Sequence, residues 1–169
     1  MSVDWPAVYR STFPDLVRFL HRKVWDPDRA RDLAQEAFVR GLGQEPDQPR
    51  AWLFRVASNL ARDEARTGIR RKKHLTLLKA EAEVRQEAVE DPSERLEARE
   101  RADRLRAALD TLTERDREAL LLHEAGMGYP EIADHLGLKV GAVGTTLSRA
   151  RKRLAEAWRA GEDTDVARG

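Results

Sequence analysis

Apolar residues recur at the three- and four-residue intervals of a helix through the first part of the chain. The clearest stripe has positions i, i+3, i+4, i+7 and i+8 and consists of Ala30, Leu33, Ala34, Ala37 and Phe38. The same spacing occurs before and after it, at Leu16, Val17, Leu20, Val24, Leu53, Val56, Ala57 and Leu60. The pattern predicts a compact module of amphipathic helices with one apolar core.

Short breaks mark the ends of these predicted helices. Pro6 and Pro14 both suit the first turn of a helix. Asp26, which precedes Pro27, can cap the next helix. A turn-rich stretch at residues 41 to 48 then leads to a third helix that begins with Pro49.

The middle of the chain loses this period. Residues 67 to 92 are polar, although Leu75, Leu77 and Leu78 could form a local helix. We interpret residues 71–94 as a linker between domains. Beyond it, Thr113 is a plausible cap between two helices, the first of which has an apolar stripe at Ala98, Ala102, Leu105, Leu109 and Leu112.

A helix-turn-helix pattern follows in the second half. Ile132, Ala133 and Leu136 precede Gly137, and a longer apolar series follows the turn at Val143, Leu147, Ala150 and Leu154. The second helix of such a pair can enter the major groove, where arginine reads guanine and serine or threonine bonds bases or phosphates. The polar residues available for this are Lys139, Thr145, Ser148, Arg149 and Lys152. An ordinary helical hairpin with a solvated basic face is the alternative.

These patterns predict an all-α fold of two small helical domains joined by a flexible linker, the second a helix-turn-helix domain. We expect the first domain at residues 1–70, the linker at 71–94, the helix-turn-helix domain at 95–160 and a tail at 161–169. Composition agrees, because 36% of the residues are charged, 6% are aromatic, and the recurrent Leu, Ala, Arg and Glu favour helices.

The net charge of +1 conceals an uneven distribution. Residues 50 to 73 hold eight bases and two acids, and residues 139 to 153 hold five bases and no acid. Residues 81 to 100 reverse this with eight acids and three bases. Two basic blocks separated by an acidic one predict two anion-binding surfaces on separate modules.

Other function classes find little support. The chain has no cysteine, and its four histidines lack metal-ligand spacing. No phosphate-binding glycine loop or nucleophile elbow occurs, so we expect no catalytic residue, no metal and no cofactor. No apolar stretch approaches the roughly 20 residues that span a bilayer, and no signal peptide is evident, so we expect a cytoplasmic protein without membrane insertion.

Two polar faces flank the predicted core of the first module. One is basic with an aromatic residue at its edge, which can stack unpaired bases, and consists of Trp52, Arg55, Asn59, Arg62 and Arg66. The other consists of Asp32, Gln35, Glu36 and Arg40. A solvated surface is the alternative for both, with Trp52 covering the core and Glu36 pairing with Arg40 along the helix.

The order of three segments resembles the extracytoplasmic-function group of the sigma-70 family. The segments are DLAQEAFVRGL, PRAWLFRVASNLARDEAR and, after the linker, LTERDREALLLHEAGMGYPEIADHLGLKVGAVGTTLSRARKRL. The resemblance covers residues 8 to 158 and implies a bacterial promoter-specificity factor that binds core RNA polymerase and promoter DNA. It also implies control by an anti-sigma factor.

The resemblance gives each surface a role. Asp32, Gln35, Glu36 and Arg40 would bind the clamp helices of the largest polymerase subunit. Residues 43 to 48 and the basic face, Trp52, Arg55, Asn59, Arg62 and Arg66, would bind and unstack the −10 element. The helix-turn-helix would read the −35 element through Lys139, Thr145, Ser148, Arg149 and Lys152. The chain departs from the family at Gly144 and Thr146, where Lys or Arg is frequent.

Two rival functions remain open from the sequence. A conventional helix-turn-helix regulator would bind operator DNA tightly without polymerase. A helical protein-binding adaptor would have no affinity for nucleic acid even at low salt.

Overall fold

The computed structural model describes the backbone of residues 2–86 and 91–169 and the side chains of residues 2–67 and 91–169. This part of the chain contains α-helices and no strand, which confirms the predicted all-α fold. The helices are α1 (Trp5–Val24), α2 (Pro27–Gly41), α3 (Pro49–Gln86), α4 (Pro92–Asp110), α5 (Glu114–Glu124), α6 (Tyr129–Leu136) and α7 (Val140–Arg168).

Helices α1 to α3 pack on one another and form the first module. Asp26 caps α2 as predicted, since its carboxylate accepts from the backbone N–H groups of Asp28 and Arg29. The five residues of the α2 stripe are all buried. On α3, Leu53, Ala57 and Leu60 are buried as well. The helical period therefore identified most of this core.

The expectation that Pro14 begins a helix is wrong. Pro14 lies inside α1, which runs from Trp5 to Val24 with Pro6 in its first turn. An internal proline removes one backbone hydrogen bond and costs about 3 kcal/mol. Burial on both sides of it offsets this cost, because Thr12, Leu16, Phe19 and Leu20 all face the core.

The second module consists of α4 to α7. Thr113 caps α5 by accepting from the N–H of Asp116, as predicted. Glu131 accepts from the N–H of Gly128 at 2.9 Å and secures the start of α6. Gly137 ends α6 with φ of 67°, a left-handed conformation that favours glycine. Helix α7 follows, which completes the helix-turn-helix.

Helical backbone extends into both segments predicted to connect or follow the modules. Helix α3 continues to Gln86 and α4 begins at Pro92, so the proposed linker is largely helical, with residues 87–90 outside the described part. Helix α7 includes most of the predicted tail. Arg104 of α4 lies over the Trp158 ring, at 4.3 Å from its centroid, and pairs with Glu162 at 3.3 Å.

The two modules contact each other directly. Helix α1 touches α5, and α3 touches α6. Buried residues of both modules belong to one hydrophobic cluster, which includes Leu16, Leu20, Phe54, Leu121, Leu122 and Ile132. Arg50 adds a polar contact, because its guanidinium donates to the carbonyl of Ala125 at the end of α5. The relative placement of the modules could not be read from the sequence.

Glu118 is the central polar residue of this contact. Its side chain is buried, yet it accepts hydrogen bonds from residues of both modules. We call this group the Glu118 cluster: Lys23 and Ser58 from the first module, and Glu118 and His135 from the second, with 3.0 Å between His135 Nε2 and Glu118 Oε1. Burial alone would raise the pKa of Glu118, but the contacts with His135, Lys23 and Ser58 outweigh it and lower the pKa from 4.5 to about 2.

This shift predicts a pH-dependent contribution to stability. Glu118→Gln should lower the free energy of unfolding by about 3 kcal/mol near neutral pH, since each unit of pKa shift corresponds to roughly 1.4 kcal/mol. The difference from the wild-type protein should shrink as the pH falls from 4.5 to about 2, because a protonated Glu118 loses its charge-assisted contacts. Urea unfolding followed by circular dichroism at a series of pH values measures this.

Glu124→Gln is the matched control. Glu124 lies on the same helix but is exposed, so its substitution should change stability by less than about 0.5 kcal/mol at any pH. Equal effects of the two substitutions would show that the Glu118 cluster does not stabilise the fold.

Candidate nucleic-acid interface

The second helix of the helix-turn-helix presents the polar residues that the sequence assigned to DNA. Thr145, Ser148, Arg149 and Lys152 are exposed along α7, and Lys139 is exposed at its start. Val143, Leu147 and Ala150 are buried on the opposite side. The structure therefore brings the five predicted residues onto the accessible side of one helix.

The two departures from the family pattern have different surroundings. Thr146 is buried, and its hydroxyl donates to the Ala142 carbonyl at 2.8 Å. A long cation at that position would have to leave this pocket. Gly144 is half-buried, and a Cβ built on it would lie 3.7 Å from the ring of Tyr129. Thr146 is thus adapted to packing within this module, whereas a Cβ at Gly144 would make only an ordinary van der Waals contact.

Arg149 is held by a buried carboxylate. Its Nε and Nη2 donate to the two oxygens of Asp116 at 3.2 and 2.8 Å. The hydrogen bonds from Arg149 lower the pKa of Asp116, although burial opposes them. A bidentate pair fixes the plane of the guanidinium and leaves its other N–H donors for a ligand.

The basic face of α3 is exposed but partly paired. Arg55, Asn59, Arg62 and Arg66 are all exposed. Arg55 binds Asp134 of α6, and Arg62 binds Glu114 of α5 at 3.3 Å. Both acids belong to the second module.

Trp52, at the edge of this face, is half-buried. Its ring packs edge-on against Trp5 with 6.3 Å between centroids. The same residue lines a cleft of about 770 Å³ between residues 46–48 and helix α6. Trp52 therefore covers the core, as the alternative interpretation held, while part of it stays accessible from the cleft.

The polar face of α2 contains Asp32, Gln35, Glu36 and Arg40, all exposed. Glu36 and Arg40 pair along the helix at 3.0 Å. Two apolar residues beside them, Val39 and Leu42, are 60% and 65% exposed. Neither residue was predicted from the sequence, although an apolar residue on the polar side of a helical stripe is the signal that would have identified it.

A second cleft, of about 410 Å³, was also missed. We call it the basic cleft; it contains Trp25, Asp110 and Glu114 together with six cations, Arg22, Lys23, Arg62, Arg66, Arg106 and Arg117. Arg22 and Arg106 lie over the Trp25 ring at 5.4 and 5.9 Å from its centroid. These cations come from four helices, α1, α3, α4 and α5, so no local pattern groups them.

Two features of the described residues bear on other functions. No group of three or more acidic or histidine side chains there could hold a metal ion. No helix in that part is long and apolar enough to cross a membrane.

Comparison with known proteins gives consistent matches for both modules. Residues 8–71 match the family model Sigma-70 region 2, and residues 102–154 match Sigma-70, region 4. The ECF RNA polymerase sigma factor EcfG of Rhodopseudomonas palustris is 32% identical over 148 residues, which cover 84% of this chain and 78% of EcfG. RNA polymerase sigma factor YlaC of Bacillus subtilis is 28% identical over 153 residues, 87% of each chain.

Solved structures give the same result for the fold. CnrH, in complex with the cytosolic domain of CnrY, has a TM-score of 0.66 and 26% identity, covering 92% of this chain and 88% of CnrH. The sigma factor RpoE of Bartonella quintana, in complex with the anti-sigma factor NepR, has a TM-score of 0.58 and 21% identity, covering 92% and 97%.

Proposed function

Because this chain belongs to the sigma-70 family of RNA polymerase sigma factors, in its extracytoplasmic-function group, we propose a specific division of its surfaces. Helix α2 binds core polymerase, the basic face of α3 binds the −10 element, and α7 reads the −35 element. The observation that carries this proposal is that one chain presents an acidic and apolar surface beside two separate cationic surfaces.

The α2 surface suits a protein partner. Exposed Val39 and Leu42 provide an apolar contact that becomes favourable when it is buried. Asp32, Gln35 and Glu36 surround it with hydrogen-bond acceptors and charge. Interfaces commonly combine an apolar centre with such a polar rim. This combination supports a polymerase contact rather than a merely solvated face.

The α3 surface suits unpaired DNA. Opening a duplex costs a few kcal/mol for each unstacked step, and cations beside an aromatic ring offset part of that cost by binding the released strand. Arg55, Asn59, Arg62 and Arg66 supply the polar groups, with Trp52 at their edge. By this route the protein opens the promoter by binding the strand that has already separated, which shifts the equilibrium toward open DNA. No residue that hydrolyses a nucleotide is needed. The protein is accordingly a transcription initiation factor and not an enzyme.

The remaining partners follow from relatives. CnrH and the Bartonella RpoE are seen in complex with CnrY and with the anti-sigma factor NepR, respectively. We therefore include an anti-sigma factor among the partners of this chain. Binding to the bacterial polymerase also implies a cytoplasmic location.

The polymerase contact can be tested by charge reversal. Glu36→Arg should reduce binding to purified core polymerase at least tenfold in a pull-down or titration, since it places a cation where the partner meets an acid. Circular dichroism should be unchanged, because Glu36 is exposed. Glu156→Arg, an exposed reversal on α7, is the control and should bind normally. Unaltered binding by Glu36→Arg would contradict the α2 assignment.

The −35 contact can be tested on α7. Arg149→Ala should weaken binding of the holoenzyme to a −35 duplex by about tenfold or more if Arg149 reads a base. Arg159→Ala is the control, since Arg159 lies on the same helix beyond the helix-turn-helix and is exposed. An identical footprint for both variants would remove Arg149 from the recognition surface.

The function as a whole is tested by transcription with purified core polymerase and a promoter library. A sigma factor should redirect RNA synthesis to a defined set of promoters and depend on the core enzyme for specific binding. Tight operator binding without polymerase would instead indicate a conventional regulator.

A further inference from the structure

Arg149 of the helix that enters the proposed −35 site is bound by a carboxylate from a different helix. Asp116 lies in the first turn of α5 and is buried. The hydroxyl of Thr113 accepts from the backbone N–H of Asp116 at 3.2 Å and fixes that turn. Helices α5 and α7 pack on each other, so the carboxylate and the guanidinium belong to one module. Their contact does not depend on how the two modules are placed.

Asp116 occupies one particular edge of the Arg149 guanidinium. Nε and Nη2 donate to the two carboxylate oxygens at 3.2 and 2.8 Å. An arginine side chain has five N–H donors, one on Nε and two on each terminal nitrogen. The bonds to Asp116 use the Nε donor and one Nη2 donor. Both Nη1 donors and the second Nη2 donor remain, so the edge formed by Nη1 and Nη2 is available to a ligand.

This remaining edge has the shape that recognises guanine. Guanine presents two acceptors, O6 and N7, in the major groove, and an arginine binds both at once through a pair of N–H bonds. The side chain of Arg149 is 52% exposed, whereas that of Asp116 is 1% exposed. The ion pair is therefore buried at the carboxylate and open at the edge that a base can reach.

Arg153 has a different relation to the same carboxylate. Its Nη1 lies 3.9 Å from Asp116 Oδ2, which is too far for a hydrogen bond. Arg153 is exposed and adds positive charge beside the buried acid. This charge offsets the repulsion that the carboxylate would otherwise exert on a DNA phosphate. Asp116 can thus orient Arg149 without leaving net negative charge beneath the surface that faces DNA.

We infer that Asp116 is a positioning residue that makes Arg149 specific for guanine at one position of the −35 element. The carboxylate holds the Nε side of the guanidinium, and the edge formed by Nη1 and Nη2 then meets O6 and N7. A guanidinium without this partner would sample several orientations and bind phosphates, which carry no sequence information, as well as bases. The inference rests on the proposed −35 role of Arg149. It adds a residue that acts only through Arg149, because Asp116 is itself buried.

Base discrimination tests this role. The holoenzyme is titrated against −35 duplexes in which each base pair is replaced in turn, and the wild-type protein should prefer guanine at one position by about tenfold or more. Asp116→Asn, which keeps the size but not the charge, should reduce that preference to less than threefold. Preferences at the other positions should change less than twofold. An unchanged guanine preference, or an equal loss at every position, would overturn the inference.

Asp110→Asn is the matched control. Asp110 is exposed in the same module and also pairs with an arginine, since Arg117 Nη1 lies 3.3 Å from its Oδ1. The substitution changes the net charge as Asp116→Asn does, but it should keep the full guanine preference. An equal loss of preference for both variants would show a general charge effect and overturn the inference.

A double-mutant cycle separates positioning from a general effect on the fold. If Asp116 acts only through Arg149, Asp116→Asn should lower affinity for the preferred duplex in the wild-type background. In the Arg149→Ala background it should change affinity less than twofold. Losses that simply multiply in the double variant would overturn the inference. Circular dichroism and thermal melting check that each variant is folded.

The wild-type protein provides a measurement that needs no substitution at Asp116. Without DNA, the guanidinium of Arg149 should rotate slowly about its Nε–Cζ bond and give separate Nη1 and Nη2 signals in ¹⁵N NMR, assigned with Arg149→Ala. Arg151, exposed on the same helix, should give averaged signals. Averaged signals for Arg149 would overturn the inference, because they would show that its guanidinium is not held.

The same titrations distinguish failure of this inference from failure of the proposed function. If Arg149→Ala removes a guanine preference at one position while Asp116→Asn behaves as wild type, only the inference is wrong. If Arg149→Ala leaves binding to every −35 duplex unchanged, the proposed −35 role of Arg149 is itself wrong.

Discussion

A buried carboxylate must be given hydrogen-bond donors, and this requirement determines how the two modules sit together. Glu118 is removed from water, and an unpartnered charge in such a place would cost several kcal/mol. Its own helix supplies no donor. Lys23 and Ser58 come from the first module and His135 from α6, so the contacts of Glu118 form only when α1, α3, α5 and α6 meet. The packing of the shared apolar cluster follows from the same placement.

This placement treats the proposed surfaces differently. The α2 face, with Glu36 and Val39, points away from the second module and remains exposed. The α3 face is partly covered, because Arg55 and Arg62 bind acids of the second module. In this arrangement the proposed polymerase surface is therefore accessible, and the proposed −10 surface is partly occupied by ion pairs.

The local spacing of apolar residues predicted the helices well, but it could not predict contacts between residues that are far apart in the sequence. The α2 stripe and the caps Asp26 and Thr113 depend on neighbours within a few residues, which the sequence displays directly. Pro14 was misplaced because tertiary burial outweighed a local preference. The Glu118 cluster and the basic cleft could not be predicted, since their residues are far apart in sequence and look like ordinary surface charges. The roles of individual site residues likewise depended on the resemblance to a family. Exposure alone does not distinguish a residue that binds a partner from one that is only solvated.

Helix α7 is a single element of 29 residues that begins at the proposed −35 contacts and continues to Arg168. At 1.5 Å per residue it is a rod about 43 Å long. Near its far end, Arg104 of α4 holds Trp158 and Glu162. A stiff rod clamped at one end transmits any tilt of that end to the other. A protein that displaced the C-terminal turns would thus act on the same rigid element whose first turns carry the proposed −35 contacts.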